Sequence, residues 1–245
     1  MRNLKLHLQY NGTNYHGWQV QPHDRSVQET VQGAVYGTTG EHVTVTGCSR
    51  TDAGVHARHY VCNFHTETKI PCERMSYAMN ANLPDDIAVT LCEEAEENFN
   101  ARYDAKSKIY VYRIHNSNVR DPFEKDRVWQ YPIPLNLEKM QRAAEHLVGT
   151  HDFTAFMAAG GQQKQMEKEM YEVCVSQQGK LFEIKVHANS YLYNMVRIIT
   201  GTLVYAGNGK IQPDDVKEIL LSKDRKRAGM TAPPQGLYLH RVFYE

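Results

Sequence analysis

Arg50, Thr51 and Asp52 stand side by side within Gly47-Cys48-Ser49-Arg50-Thr51-Asp52-Ala53-Gly54-Val55-His56-Ala57. Gly47, Asp52 and Gly54 weaken helix and strand alike, so the segment reads as a loop. It presents one carboxylate next to one guanidinium. That pairing suits a site that handles something anionic with a single acid group. Asp52 and His56 are four residues apart, with His59 and His65 nearby, which raises a metal-dependent hydrolase as a competing reading. Ligation at that spacing needs a helix, and Gly54 opposes one. No metal is therefore expected.

The flanking pattern supplies a frame for this loop. Leu4, Leu6, Leu8 and Tyr10 alternate as on a half-buried strand. Ser26-Val27-Gln28-Glu29 is a capping box, and Val27, Val31, Ala34 and Val35 follow as a helical stripe. Val43 to Thr46 reads as a short strand, Tyr60, Cys62 and Phe64 as another, Glu73 to Met79 as a helix and Ile87 to Cys92 as a strand. The order is βαββαβ. It repeats with a strand over Ile109 to Ile114, then a helix capped by Asn136, with Leu137, Met140, Ala144, Leu147 and Val148 apolar and Gly149 as its stop. Tyr171 to Val175 and Phe182 to Val186 form a hairpin about Gln178-Gly179. A helix spans Ser190 to Ala206, with Met195, Ile198, Ile199, Thr202 and Leu203 inward. An extra helix runs from Pro213 to Leu221, and a strand from Leu237 to Tyr244.

The expected fold is α+β: two ferredoxin-like halves, 1–105 and 106–245, related by pseudo-twofold symmetry. They would join in a mainly antiparallel central sheet with helices on one face and a cleft on the other.

The chain's 245 residues can bury a sizeable core. A 41% hydrophobic and 23% charged composition is ordinary for a soluble globular protein, and no apolar run is long enough for a membrane span. The N-terminus enters a strand pattern directly, so no signal peptide is expected. Five cysteines without a C-x-x-C pair point to reduced thiols in the cytoplasm rather than a zinc cluster or disulfide frame. Net charge is zero, which alone weighs mildly against a nucleic-acid partner. The charges are segregated, however: Asp85 to Asn98 is acidic, and Lys223 to Arg227 is mostly basic. Trp18, in a glycine-containing loop, fits core packing and RNA stacking about equally.

Further blocks give the loop a context. They are Tyr10-Asn11-Gly12-Thr13-Asn14-Tyr15-His16-Gly17-Trp18-Gln19, Asn80-Ala81-Asn82-Leu83-Pro84, Tyr110-Val111-Tyr112-Arg113-Ile114, His151-Asp152-Phe153-Thr154, Met195-Val196-Arg197 and Ala232-Pro233-Pro234-Gln235-Gly236-Leu237-Tyr238-Leu239. With Arg-Thr-Asp-Ala-Gly-Val-His-Ala, the chain resembles the tRNA pseudouridine synthase A family over nearly its full length. It departs from the family at Asn11, Ser49 and Asn100, and at Lys168, which stands where an Arg is usual.

The resemblance implies an isomerase that breaks the N1–C1′ bond of uridine, turns the base and joins C5 to C1′, with no cofactor. Hydrolysis of a glycosidic bond ordinarily takes two carboxylates, one to activate water; one carboxylate fits a transfer that excludes water. It implies Asp52 as the acid, either adding to C1′ or removing a 2′ proton. It implies Arg197 as the cation that keeps Asp52 ionised in a desolvated site, Tyr110 as a ring against uracil, and Arg50 as a wedge for a flipped nucleotide. The substrate would be the tRNA anticodon stem-loop, around positions 38 to 40, and the enzyme a homodimer. The alternatives are a related pseudouridine synthase with a different RNA target and, from another class, a non-catalytic RNA-binding protein on the same scaffold.

Overall fold

The computed structural model describes residues 1–161 and 164–245. In chain order the elements are β1 (Arg2–Tyr10), α1 (Val27–Thr39), β2 (Thr46–Gly47), β3 (His56–Thr66), α2 (Cys72–Asn80), β4 (Ile87–Ala95) and β5 (Ser107–Asn116). Then come β6 (Trp129–Tyr131), α3 (Leu137–Glu145), β7 (Gly149–Asp152), β8 (Glu167–Gln178), β9 (Leu181–Ala188), α4 (Met195–Gly207), α5 (Asp215–Ser222) and β10 (Leu237–Phe243). This is a mixed α+β protein whose strand pairs are mostly antiparallel. Contacts divide it into two units, Met1–Lys106 with Tyr238–Glu245, and Ser107–Leu237.

In the first unit the strands run β4-β1-β3, all antiparallel. β2 pairs with β3 at Thr46–Asn63 and Gly47–Cys62, and β10 runs parallel to β3 at Tyr238–His56. Leu4, Leu6, Leu8, Tyr60, Cys62 and Phe64 are buried on one sheet face, with Val27, Val31, Ala34 and Val35 of α1 and Met75 and Met79 of α2 completing the core. Ser26 caps α1 as its sequence predicts, accepting the Glu29 N–H at 3.2 Å. The expected strand over Val43 to Thr46 shrinks to Thr46–Gly47. Side chains of α1 take over the ladder's role: Gln32 Oε1 accepts the Val45 N–H, and Gln28 Nε2 donates to the Val45 carbonyl. The backbone is satisfied without a partner strand.

The second unit's sheet runs β7-β8-β9-β5, antiparallel throughout, with β6 parallel to β5. Asn136 caps α3, accepting the Lys139 N–H at 2.9 Å. The helix ends at Glu145, before the expected Gly149 stop, and Val148 is exposed while Leu147 is fully buried. α4 begins at Met195 rather than near Ser190, because Asn194 sits at φ 58°, a left-handed conformation no helix can pass through. Its expected inward residues are all buried.

The other face of the first unit's sheet carries a histidine pair. His7 Nδ1 lies 3.0 Å from His59 Nε2, and His7 Nε2 lies 3.0 Å from Glu93 Oε1. Burial lowers the His59 pKa below 6.5, and the positive neighbours His7, Arg241, Lys5 and His240 add to the effect. The unfolded chain then binds the proton more readily than the fold does. The stability His59 contributes is complete above about pH 6.5 and is lost as pH falls from there through its folded pKa. Glu93 has the other sense of charge: bonds from Lys5 and His7 lower its pKa, so its contribution is lost only below its ordinary 4.5. Melting temperature should therefore fall from pH 7 to pH 5, and His59→Gln should flatten that slope. His187, also lowered by burial, shares the window and keeps some slope. An unchanged slope in His59→Gln, read by scanning fluorimetry, would rule the account out.

Candidate active site

The Arg50-Thr51-Asp52 loop joins β2 to β3, and its backbone is held at nearly every residue. Cys48 N–H donates to Val61 O at 2.9 Å, and the Tyr60 hydroxyl donates to Ser49 O. Trp18 N–H donates to Thr51 O at 3.1 Å, and Gly54 N–H to Tyr15 O at 3.1 Å. The buried Thr51 hydroxyl meets the Tyr10 hydroxyl at 2.8 Å. Val55 N–H closes a turn on Asp52 O at 3.2 Å, with Gly54 at φ 76° as its third residue. Gly17 lets the 15–18 segment approach: a Cβ there would stand 2.5 Å from Thr51 O. Trp18 is buried and stacks on Tyr60 at 4.1 Å, so of its two readings the structure selects core packing.

The loop's backbone is thereby fixed along its length, with Thr51 buried between two more open neighbours. Arg50 is exposed and Asp52 half-buried. A carboxylate on a rigid backbone needs no reorganisation to meet a substrate. His56 does a different job. It is buried, its Nδ1 accepts the Gly12 N–H at 3.0 Å, and its ring stacks on Tyr238 at 4.7 Å. It anchors the start of β3, and its Nδ1 lone pair is already used.

In the second unit, β5 places Tyr110, Tyr112 and Ile114 on one face, all buried. Tyr110 meets Tyr191 edge-on at 5.0 Å. The Tyr191 hydroxyl lies 2.7 Å from Lys108 O and 2.9 Å from Val186 O, which fixes the ring against which Tyr110 rests. The Tyr112 hydroxyl donates to Pro233 O at 2.6 Å. Burial raises the pKa of Tyr112 and of Tyr191, so both phenols stay protonated donors.

Arg197 lies in the first turn of α4, half-buried. Its Nε donates to Ala232 O at 2.7 Å and one terminal nitrogen to Asn194 Oδ1 at 2.7 Å. Its own carbonyl accepts the Ala232 N–H at 3.0 Å. Both of these side-chain acceptors are neutral. They orient the guanidinium at the helix end where the dipole favours anions over cations. Asn194, Ala232 and Pro233 are the positioning residues that sequence reasoning missed. The unusual run Ala232-Pro233-Pro234 was the available signal, since prolines leave carbonyls without a competing N–H ladder.

Comparison with known proteins supplies the remaining observation. The sequence pattern described as "tRNA pseudouridine synthase" matches residues 7–104 and 143–245. The chain belongs to the tRNA pseudouridine synthase family. It is thus an isomerase of the class that converts uridine to pseudouridine. Curated relatives named "tRNA pseudouridine synthase A" include one from Thermoanaerobacter sp. (strain X514), 49% identical over 244 residues and covering 100% of both chains. Others are from Ruminiclostridium cellulolyticum, 48% identical, and Acetivibrio thermocellus, 46% identical, each again over 100% of both chains. Among the described residues no group of three or more His, Cys, Asp or Glu is arranged to hold a metal, and no helix is long and apolar enough to cross a membrane.

Proposed function

We propose that this enzyme isomerises uridine in the anticodon stem-loop of tRNA, around positions 38 to 40, on a nucleotide flipped out of its stack. Asp52 is the reacting carboxylate, acting on the ribose at C1′ or at the 2′ proton. Tyr110 packs against uracil, Arg197 supplies the positive charge that keeps the acid ionised, and Arg50 fills the gap left by the extruded base. The reading extends to two ferredoxin-like halves, 1–105 and 106–245, and to a cytoplasmic homodimer.

The observation that carries it is the Asp52 loop: backbone hydrogen bonds at Cys48, Thr51, Asp52 and Gly54 fix the loop's path, while a single carboxylate is presented from it. Supporting it, Asn194 Oδ1 and the Ala232 carbonyl orient the Arg197 guanidinium in the first turn of α4, where the helix dipole favours an anion. The test is tritium release from tRNA labelled at uracil C5, since the new C5–C1′ bond displaces that hydrogen. Wild-type protein should release tritium at a mapped anticodon-arm uridine. Tight tRNA binding with no release would instead favour the non-catalytic scaffold.

A further inference from the structure

We propose that Lys168 is a substrate-binding residue whose ammonium takes a phosphodiester oxygen of the RNA; this rests on the RNA substrate proposed above. Lys168 lies near the start of β8, opposite His151 of β7. Glu167 and Glu169 on either side are exposed, whereas Lys168 is only 7% exposed. It shares its face with Met170, which is buried. Two loops are tied to this end of the strand. Phe153 N–H donates to Met166 O at 3.1 Å, and Asn189 N–H to Glu169 O at 3.1 Å. Ala158 N–H donates to Tyr193 O at 3.1 Å, linking those loops to each other. They bring Phe153, Phe156 and Leu192, all buried, to this end of the unit.

Lysines are almost never this buried unless paired. Lys5, Lys185 and Lys223, all more exposed, nevertheless have carboxylate partners 2.7, 2.8 and 2.7 Å away at Glu93, Glu172 and Asp152. The Lys168 ammonium has no hydrogen bond and no ion pair among the described residues, although its backbone lies in the β7–β8 ladder. Burial alone acts on its titration, pushing its pKa down with no charged neighbour to counter it. Yet its tip is not sealed. The fully enclosed unpartnered side-chain atoms among the described residues are His59 Nδ1 and Thr200 Oγ1, and Lys168 Nζ is not one of them. In a residue this buried the tip keeps only part of its hydration, and with no partner to replace the rest it costs stability in the free protein. An external anion offsets that cost, and a compact ammonium suits a phosphate oxygen.

The experiment compares wild type, Lys168→Met and Lys168→Arg as full chains. It measures tRNA affinity across a salt series, together with melting temperature. Lys168→Met should melt above wild type and bind tRNA about five- to tenfold more weakly near 0.1 M salt. Its slope of log affinity against log salt should be shallower by about 0.7–0.9, the loss of one phosphate contact. Lys168→Arg should keep the wild-type slope. Folded Lys168→Met with unchanged affinity, or with weaker affinity at the wild-type slope, would overturn the proposal. If Lys168→Met does not fold, acetylation of Lys168 in wild type decides: tRNA should protect it. Equal labelling with and without tRNA, or equal protection by inorganic phosphate at matched ionic strength, counts against it. Absence of tritium release from wild type would sink the proposed function and leave these binding results readable by themselves.

Discussion

Asp52→Asn is expected to lower uridine isomerisation by at least ~10⁴-fold, with tRNA binding and melting temperature close to wild type. The asparagine amide has the carboxylate's shape but cannot attack C1′ and cannot accept a 2′ proton, so either course of the reaction stops. Fold and loop should survive because the bonds that set the loop's path use backbone atoms: Thr51 O, Asp52 O, Gly54 N–H and Cys48 N–H. The same rigidity predicts that Asp52→Glu fails to rescue. One added methylene moves the carboxylate by more than an ångström on a backbone that cannot retreat, and misplacement of that size costs on the order of 10²-fold. Single-turnover tritium release with matched binding curves measures both variants. More than a tenth of wild-type rate in Asp52→Asn would exclude Asp52 as the reacting acid.

What could be read from the sequence depended on whether the signal was periodic or long-range. The stripe Val27, Val31, Ala34, Val35 and its Ser26 cap were legible because helix period and cap are both local, and those four residues are the buried ones of α1. The truncated β2 was not, since Gln28 and Gln32 reach Val45 from a helix 13 to 17 residues earlier. β6 and β7, at three and four residues, are too short to show a period. The late start of α4 turns on the left-handed backbone of Asn194, a conformation to which a run of helix-compatible residues gives no clue. At the candidate site, Asp52 and Arg50 stood out from the loop's own residue types, while their roles, and Tyr110 and Arg197, came through the family resemblance. The Ala232 carbonyl that orients Arg197 comes from 35 residues away and follows no pattern in the chain. Lys168 was visible only as a departure from the family's Arg; its burial without a partner needed coordinates.

That long-range packing against α4 yields the largest stability effect. Gly201→Ala should destabilise the fold by about 3 kcal/mol or more. In an open helix interior the same change stabilises by up to ~1 kcal/mol, because alanine is the better helix former. Here the sign reverses. A Cβ on Gly201 would stand 1.8 Å from Met230 O, a backbone atom that no rotamer change can move. The facing segment cannot slide away, since Gly229 N–H donates to Thr202 Oγ1 at 2.8 Å and Ala232 N–H to Arg197 O at 3.0 Å. Arg225 clamps it further through Gly229 O and Thr231 Oγ1. Displacing it would also withdraw the Ala232 carbonyl from Arg197, so activity should fall even where the variant remains folded. Gly33→Ala is the control: Gly33 is exposed in α1 with nothing within 4 Å of a new Cβ, and it should gain about 0.5–1 kcal/mol. Urea unfolding of the two variants side by side separates propensity from packing. If Gly201→Ala matched Gly33→Ala, the backbone contact that positions Arg197 would have to be abandoned.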